Sequence, residues 1–295
     1  MAQFYNCIKI KLPLFVSCLA LSLTGLSQTP STNITIQTEK LILTGKTVAV
    51  DFYLPASSHS APVVVLAHGF TRNRTTMEGW GKMLAKDGFI AIAPDLPTLS
   101  DHAQNGRALA ELVIEMKRGK LFAKPKPSDQ LALVGFSAGG LATLLASAGN
   151  TNINCWVGLD PVGRGQQGAD AAKALKIPCF VLRAEPSAWN ANGNARQIFK
   201  DLPGPAFTLK VKQAVHVDAE NPTTWAAELA CGRSNEARRD LFGRYLLMSL
   251  RVGLLGDRAA LKDLQAATNC PGVAEITFHK PELFDRLISN SPAQH

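Results

Sequence analysis

Leu131-Ala132-Leu133-Val134-Gly135-Phe136-Ser137-Ala138-Gly139 decides how the rest of the chain is read. Four apolar residues end at a glycine. A serine then sits between two glycines, and the small residues that follow, from Ala138 to Ala148, have helical spacing. The pattern predicts a buried strand, a sharp turn and a helix, with the serine at the apex of the turn. A hydroxyl is a poor nucleophile unless it stands exposed beside a base, and such a turn exposes it. Glycines flank it because side chains there would strike neighbouring backbone.

Working outward, short apolar runs bounded by Gly, Pro and Asp appear at 63–67, 90–93, 156–159 and 180–182, and a mixed run spans 207–215. Runs of this kind suit strands buried on both faces of a parallel sheet. Ahead of them, 34–43 and 47–54 alternate like an antiparallel pair split by Thr44-Gly45-Lys46. Helical spacing fills the gaps at 77–86, 107–117, 138–148, 169–175 and 195–199. The expected fold is therefore α/β: a mostly parallel eight-stranded sheet with helices on both faces. Beyond His216 the chain reads as helical, over 223–229, 236–252 and 258–267. No repeat or linker divides it, so residues 28–295 are expected to form one domain with a helical C-terminal elaboration.

Residues 1–27 read as a secretory signal peptide: Lys9 and Lys11, an uncharged run from Leu12 to Leu26, and small residues at Gly25 and Ser27. Cys18 lies inside the apolar run rather than after it, which disfavours a lipid anchor. A secreted or periplasmic location follows, with no stable membrane insertion after signal removal. The net charge of +8, or +6 without Lys9 and Lys11, comes from scattered basic residues rather than a block. Nucleic acid is not an expected partner. Four cysteines remain in the mature chain, and an exported protein with an even count suggests disulfides. A Cys231–Cys270 bridge is expected, because both lie in the polar C-terminal region; Cys155 and Cys179 open apolar runs, where buried thiols serve equally well. No cluster of His, Cys and Asp has metal-ligand spacing, so no metal or other cofactor is expected.

Ala67-His68-Gly69-Phe70, Gly135-Phe136-Ser137-Ala138-Gly139, Gly158-Leu159-Asp160-Pro161 and Val215-His216-Val217-Asp218 together resemble the α/β-hydrolases. The chain is most similar there to the chlorophyllase branch and to the related platelet-activating-factor acetylhydrolase and cutinase-like polyester hydrolase families. That resemblance implies a serine hydrolase, and it implies oxyanion donors at the amides of Phe70 and Ala138. Ser137 would be the nucleophile. His216 would be the base, since it follows every other candidate in a Ser…Asp…His order; the bland alternative is a surface histidine paired with Asp218. His68 precedes its turn and reads as structural. For the acid, superfamily habit nominates Glu185, whereas the closer resemblance favours Asp160. Arg183 could then simply pair with Glu185. Asp95 reads as a turn-holding residue and Trp156 as core. Phe70 would line the acyl side of the cleft, and Trp189, in a loop at the same edge, is a weaker substrate contact.

In this superfamily a lid usually follows the strand ending near Asp160. Here only 161–177 is available, so no large lid and an open cleft are expected. Such a cleft suits small-molecule or polymeric esters. A peptidase or acyltransferase would use the same triad, and a non-catalytic binding module would be expected to lack one member of it.

Overall fold

A computed structural model describes residues 33–57, 59–119, 121–122, 124–163, 165–198 and 202–290. The expected signal peptide, 1–27, lies outside the described residues. In chain order the elements are β1 (Ile34–Leu43), β2 (Lys46–Pro55), β3 (Ala61–Ala67), α1 (Glu78–Lys86), β4 (Ile90–Pro94), α2 (His102–Lys117), β5 (Pro127–Phe136), α3 (Ala138–Ser147) and β6 (Cys155–Leu159). There follow α4 (Gly165–Lys173), β7 (Cys179–Arg183), α5 (Ala195–Ile198), β8 (Ala206–Val211), α6 (Trp225–Cys231), α7 (Glu236–Leu255), α8 (Arg258–Gln265), β9 (Val273–His279) and α9 (Pro281–Asn290).

The strands form one sheet in the order β1-β2-β4-β3-β5-β6-β7-β8-β9. β1 turns into β2 through Thr44 and Gly45, both at positive φ, as a two-residue hairpin with the sheet's natural twist requires. β2 meets β4 antiparallel, and from β4 to β8 every pairing is parallel. The central strands are apolar throughout because both of their faces are covered. Val64, Leu66, Val134, Val157 and Leu182 pack with α1, α7, α8 and α9. The alternate residues Val63, Val65, Leu133, Trp156 and Val181 pack with α2, α3 and α4.

Among the described residues the sheet has nine strands, one more than expected. β9 pairs antiparallel with β8 through Phe207↔Phe278 and Leu209↔Ile276, in a region read as purely helical. No residue along it is fully buried, and Ala274 and Thr277 are exposed, so it lacks the uniformly buried apolar run that marks an inner strand. β8 is also shorter than expected. It ends at Val211, and the residues up to Val215 form a turn. Between β6 and β7 the described residues hold only α4, with no inserted lid.

The expected Cys231–Cys270 bridge is not formed, and Cys155, Cys179, Cys231 and Cys270 are all free thiols. Cys231 ends α6 beside Arg72 and Glu220, near the start of α7. Cys270 contacts Tyr245, nine residues into that helix. Nine residues of helix span roughly 14 Å, whereas a bridge needs Cα atoms within about 7 Å. Cys155 and Cys179 start adjacent strands but pack into opposite faces of the sheet.

Candidate active site

β5 delivers Ser137 at the C-terminal edge of the parallel strands. The backbone there takes φ 53° and ψ −122°, a region that costs of order 1–3 kcal/mol for a residue with a side chain. The flanking glycines are required by close approach. A Cβ on Gly135 would lie 2.4 Å from the Gly139 carbonyl oxygen, and one on Gly139 would lie 2.3 Å from that of His68. The turn is pinned by Ser137 N–H donating to Leu159 O (3.1 Å) and by Gly140 and Val162 N–H donating to Ser137 O.

Three elements converge on the hydroxyl. His216 follows β8 and begins a short 3-10 turn; its Nε2 lies 2.8 Å from Ser137 Oγ. Its Nδ1 lies 2.6 Å from Oδ2 of Asp160, the residue that follows β6. The carboxylate therefore fixes the proton on Nδ1 and leaves Nε2 to accept from the serine hydroxyl. Ser137, Asp160 and His216 are all buried. Phe136 covers the imidazole, ring centroids 4.8 Å apart. Both oxygens of Asp160 are engaged: Oδ1 accepts Ala184 N–H at 3.0 Å, and Oδ2 also accepts from Asn190 Nδ2 at 3.0 Å.

The rival acid is elsewhere. Glu185 pairs with Lys210 at 3.1 Å and accepts Gln213 N–H. Arg183 does not pair with Glu185; it reaches Glu275 at 3.4 Å. Nor does Asp218 pair with the histidine. Its oxygens accept Val215 N–H, Asn235 N–H and Arg238 Nε, tying the histidine loop to the start of α7.

Opposite the imidazole lies the turn after β3. A Cβ on Gly69 would fall 3.2 Å from Ser137 Cβ, so this turn rests against Ser137. The peptide joining Gly69 to Phe70 is held from its carbonyl side: Gly69 O accepts from His68 Nδ1 at 2.9 Å and from Arg72 N–H at 3.2 Å. The Phe70 N–H of the same planar peptide must then point the opposite way. His68 Nε2 accepts Leu96 N–H at 3.0 Å, which places its proton on Nδ1. Burial pushes the His68 pKa below its ordinary 6.5 and keeps the ring neutral. His68 thus ties the Gly69 carbonyl to the Leu96 amide. Ala138 is the first residue of α3, whose leading amides have no partner within the helix and whose dipole favours negative charge.

A cleft of about 150 Å³ opens here, lined by His68, Phe70, Leu99, His102 and Ala138 among others. Phe70 and Leu99 are more than half exposed, as is Trp189 beside Asn190. A larger cavity, about 1030 Å³, lies at the opposite edge of the sheet against Ser128, Ile153, Ile177 and Leu254. It touches neither the hydroxyl–imidazole pair nor the turn after β3.

Asp95 accepts Arg74 N–H and Arg74 Nη1, so it holds the turn before α1. Trp156 is wholly buried, with its indole N–H on Thr143. Asn190 was not singled out from sequence, although Ser187-x-x-Asn190 has the spacing of a side-chain-capped turn. Among the described residues, no group of three or more His, Cys, Asp or Glu could hold a metal ion. None of the described helices is long and apolar enough to cross a membrane.

The sheet order and the strand–turn–helix around Ser137 define the α/β-hydrolase class. The family model for the alpha/beta hydrolase family matches residues 64–280, and the chain belongs to that family. Within it, the chain is similar to Chlorophyllase-2 of Arabidopsis thaliana, 25% identical over 248 residues that cover 69% of this chain and 76% of the relative. It is thus a hydrolase by family, and its sequence is similar to the chlorophyllase branch.

Proposed function

We propose that this hydrolase cleaves carboxylic esters through an acyl-enzyme on Ser137. The observation that carries the reading is the unbroken chain from Ser137 Oγ through His216 to Asp160, at 2.8 and 2.6 Å. His216 Nε2 takes the hydroxyl proton as Oγ attacks the carbonyl carbon. The oxyanion of the tetrahedral adduct meets the amides of Phe70 and Ala138, each such donor contributing about 2.7–4 kcal/mol. Collapse breaks the ester C–O bond; the imidazolium returns its proton to the departing alcohol. Water, deprotonated by the same imidazole, then attacks the acyl-enzyme and regenerates the hydroxyl, releasing the acid.

The described residues between β6 and β7, which hold only α4, and the exposed Phe70, Leu99 and Trp189 favour esters with an extended apolar portion, small-molecule or polymeric. The relative's name adds chlorophyll to the substrates to be tried. The uncharged run behind Lys9 and Lys11 supports export, which N-terminal sequencing of the mature protein would test against a start at Gln28.

A panel of p-nitrophenyl esters of rising acyl length, chlorophyll and a peptide anilide tests the reaction class. Ester turnover well above anilide turnover supports the reading. Anilide turnover equal to or above ester turnover would replace it with a peptidase.

A further inference from the structure

The mechanism needs two loops that are far apart in sequence to keep a fixed separation. One, Gly69 to Arg72, carries the oxyanion amide of Phe70; the other, after β8, carries His216. One ion pair crosses between them. Arg72 Nε donates to Glu220 at 3.0 and 3.3 Å, across 148 residues of chain. Glu220 closes the short turn that His216 begins, its own N–H donating to Val217 O. We propose that Arg72 and Glu220 form a strap that positions the oxyanion turn relative to the general base, which makes Arg72 a positioning residue for the acyl-transfer step.

Each end of the strap is anchored to the group it would position. On the oxyanion side, Arg72 N–H holds Gly69 O, the carbonyl of the peptide that presents Phe70 N–H. Arg72 Nη1 donates to Thr71 Oγ1 at 3.2 Å, and that hydroxyl donates to Phe70 O at 2.7 Å. The peptides on both sides of Phe70 are thus tied to one arginine. Thr71 sits at φ 57°, so the turn is strained and needs holding. On the histidine side, Glu220 is fully buried, its Oε1 accepts Thr223 Oγ1 at 2.6 Å, and its carbonyl accepts Arg239 Nε. A carboxylate removed from water is costly unless paired, so Glu220 holds its cation in one place. The arginine side chain is only 16% exposed, which limits screening of the pair.

The exposed pairs of Lys82 with Glu78 and of Arg118 with Glu115 do not have this form, since each joins residues three or four apart in sequence. The strap joins two loops whose separation sets the distance from donor to base. A misplacement of about 1 Å at such a point can cost on the order of 100-fold in rate.

The inference rests on the ester-hydrolase reading, and its test separates the two. The full-length protein and the variants Arg72→Gln and Glu220→Gln are assayed with p-nitrophenyl acetate, and the Ki of a trifluoromethyl ketone is measured, since its adduct with a serine carries an oxyanion. Expected for Arg72→Gln is a fall in kcat of roughly 10–100-fold with KM held within about twofold. The Ki should rise by the same factor as kcat falls. Glu220→Gln, whose amide still accepts from Arg72, should show a smaller loss of the same kind even if Arg72→Gln folds poorly. The double variant should be no worse than Arg72→Gln. A kcat unchanged in both single variants, or a loss confined to KM with Ki unmoved, would overturn the strap while leaving ester hydrolysis intact. No turnover by the unaltered protein would instead remove the ester reading, and the strap with it.

Discussion

Asn190 Nδ2 lies 3.0 Å from Asp160 Oδ2, the same oxygen that His216 Nδ1 approaches to 2.6 Å. One carboxylate oxygen therefore serves two donors from different loops. Asn190 also donates to Glu185 O and accepts Ser187 and Gly193 N–H, so all of its strong bonding directions are used while it is almost fully buried. It holds the loop after β7 against the acid. Asn190→Ala should lower stability by about 1–3 kcal/mol, the range for leaving buried groups unpaired. It should lower kcat by roughly tenfold, far less than loss of the carboxylate. Thermal melts and steady-state kinetics on one preparation check both.

The two acids can be ranked directly. Asp160→Asn should cut kcat by on the order of 10³–10⁴, because an amide cannot select the same histidine tautomer. Glu185→Gln, whose carboxylate faces Lys210, should leave kcat within about twofold. The reverse ranking, read by steady-state kinetics, would move the acid to the next strand.

Close packing at the elbow gives a stability expectation independent of chemistry. A methyl on Gly139 meets the backbone oxygens of His68 and Ala67 at 2.3 and 2.5 Å, and neither can move without disturbing β3. Gly139→Ala should destabilise by about 3 kcal/mol or more, the upper range for overpacking. A denaturant midpoint unchanged from the parent would show that the elbow is looser than drawn.

Acid should loosen the turn after β3 through His68. Its folded pKa is lowered below 6.5 by burial, so below that pH the unfolded chain binds a proton that the folded chain does not. The unfolded state then holds more protons, and stability rises with pH across the window below 6.5 and levels off above it. Protonation at still lower pH would also end the Leu96 N–H bond to Nε2. Melting temperatures from pH 5 to 7 should climb more steeply for the parent than for His68→Asn. Parallel curves would assign the slope to other groups.

The free thiols make a simple chemical expectation. With Cys155, Cys179, Cys231 and Cys270 unpaired, alkylation in denaturant without reductant should label all four, and non-reducing peptide mapping should find no cross-linked pair. A Cys231–Cys270 peptide would restore the bridge expected from sequence.

Much of this site was legible in the sequence because its parts obey local rules. The glycines around Ser137 are dictated by contacts inside one strand–turn–helix unit, and continuous apolar runs such as Val63–Ala67 mark inner strands wherever they fall. His216 and Asp160 were reached by chain order and resemblance, and β6 and the loop after β8 bring them to Ser137. What stayed hidden depends on long-range pairing. β9 has no uniformly buried run to announce it, since only its partner β8 makes it a strand. Asn190, Arg72 and Glu220 are ordinary polar letters until the fold sets them across from Asp160, from the Gly69 peptide and from one another. The mistaken bridge has the same origin: nearness of Cys231 and Cys270 in a helical region says nothing of which face each helix presents.

The most direct measurement is intact-mass and peptide analysis of the protein after treatment with a fluorophosphonate, repeated on His216→Ala. One stoichiometric adduct is expected, on the peptide bearing Ser137, forming orders of magnitude more slowly in the variant because the base is gone. An adduct on another residue, or equal labelling with and without His216, would contradict a reactive hydroxyl at Ser137.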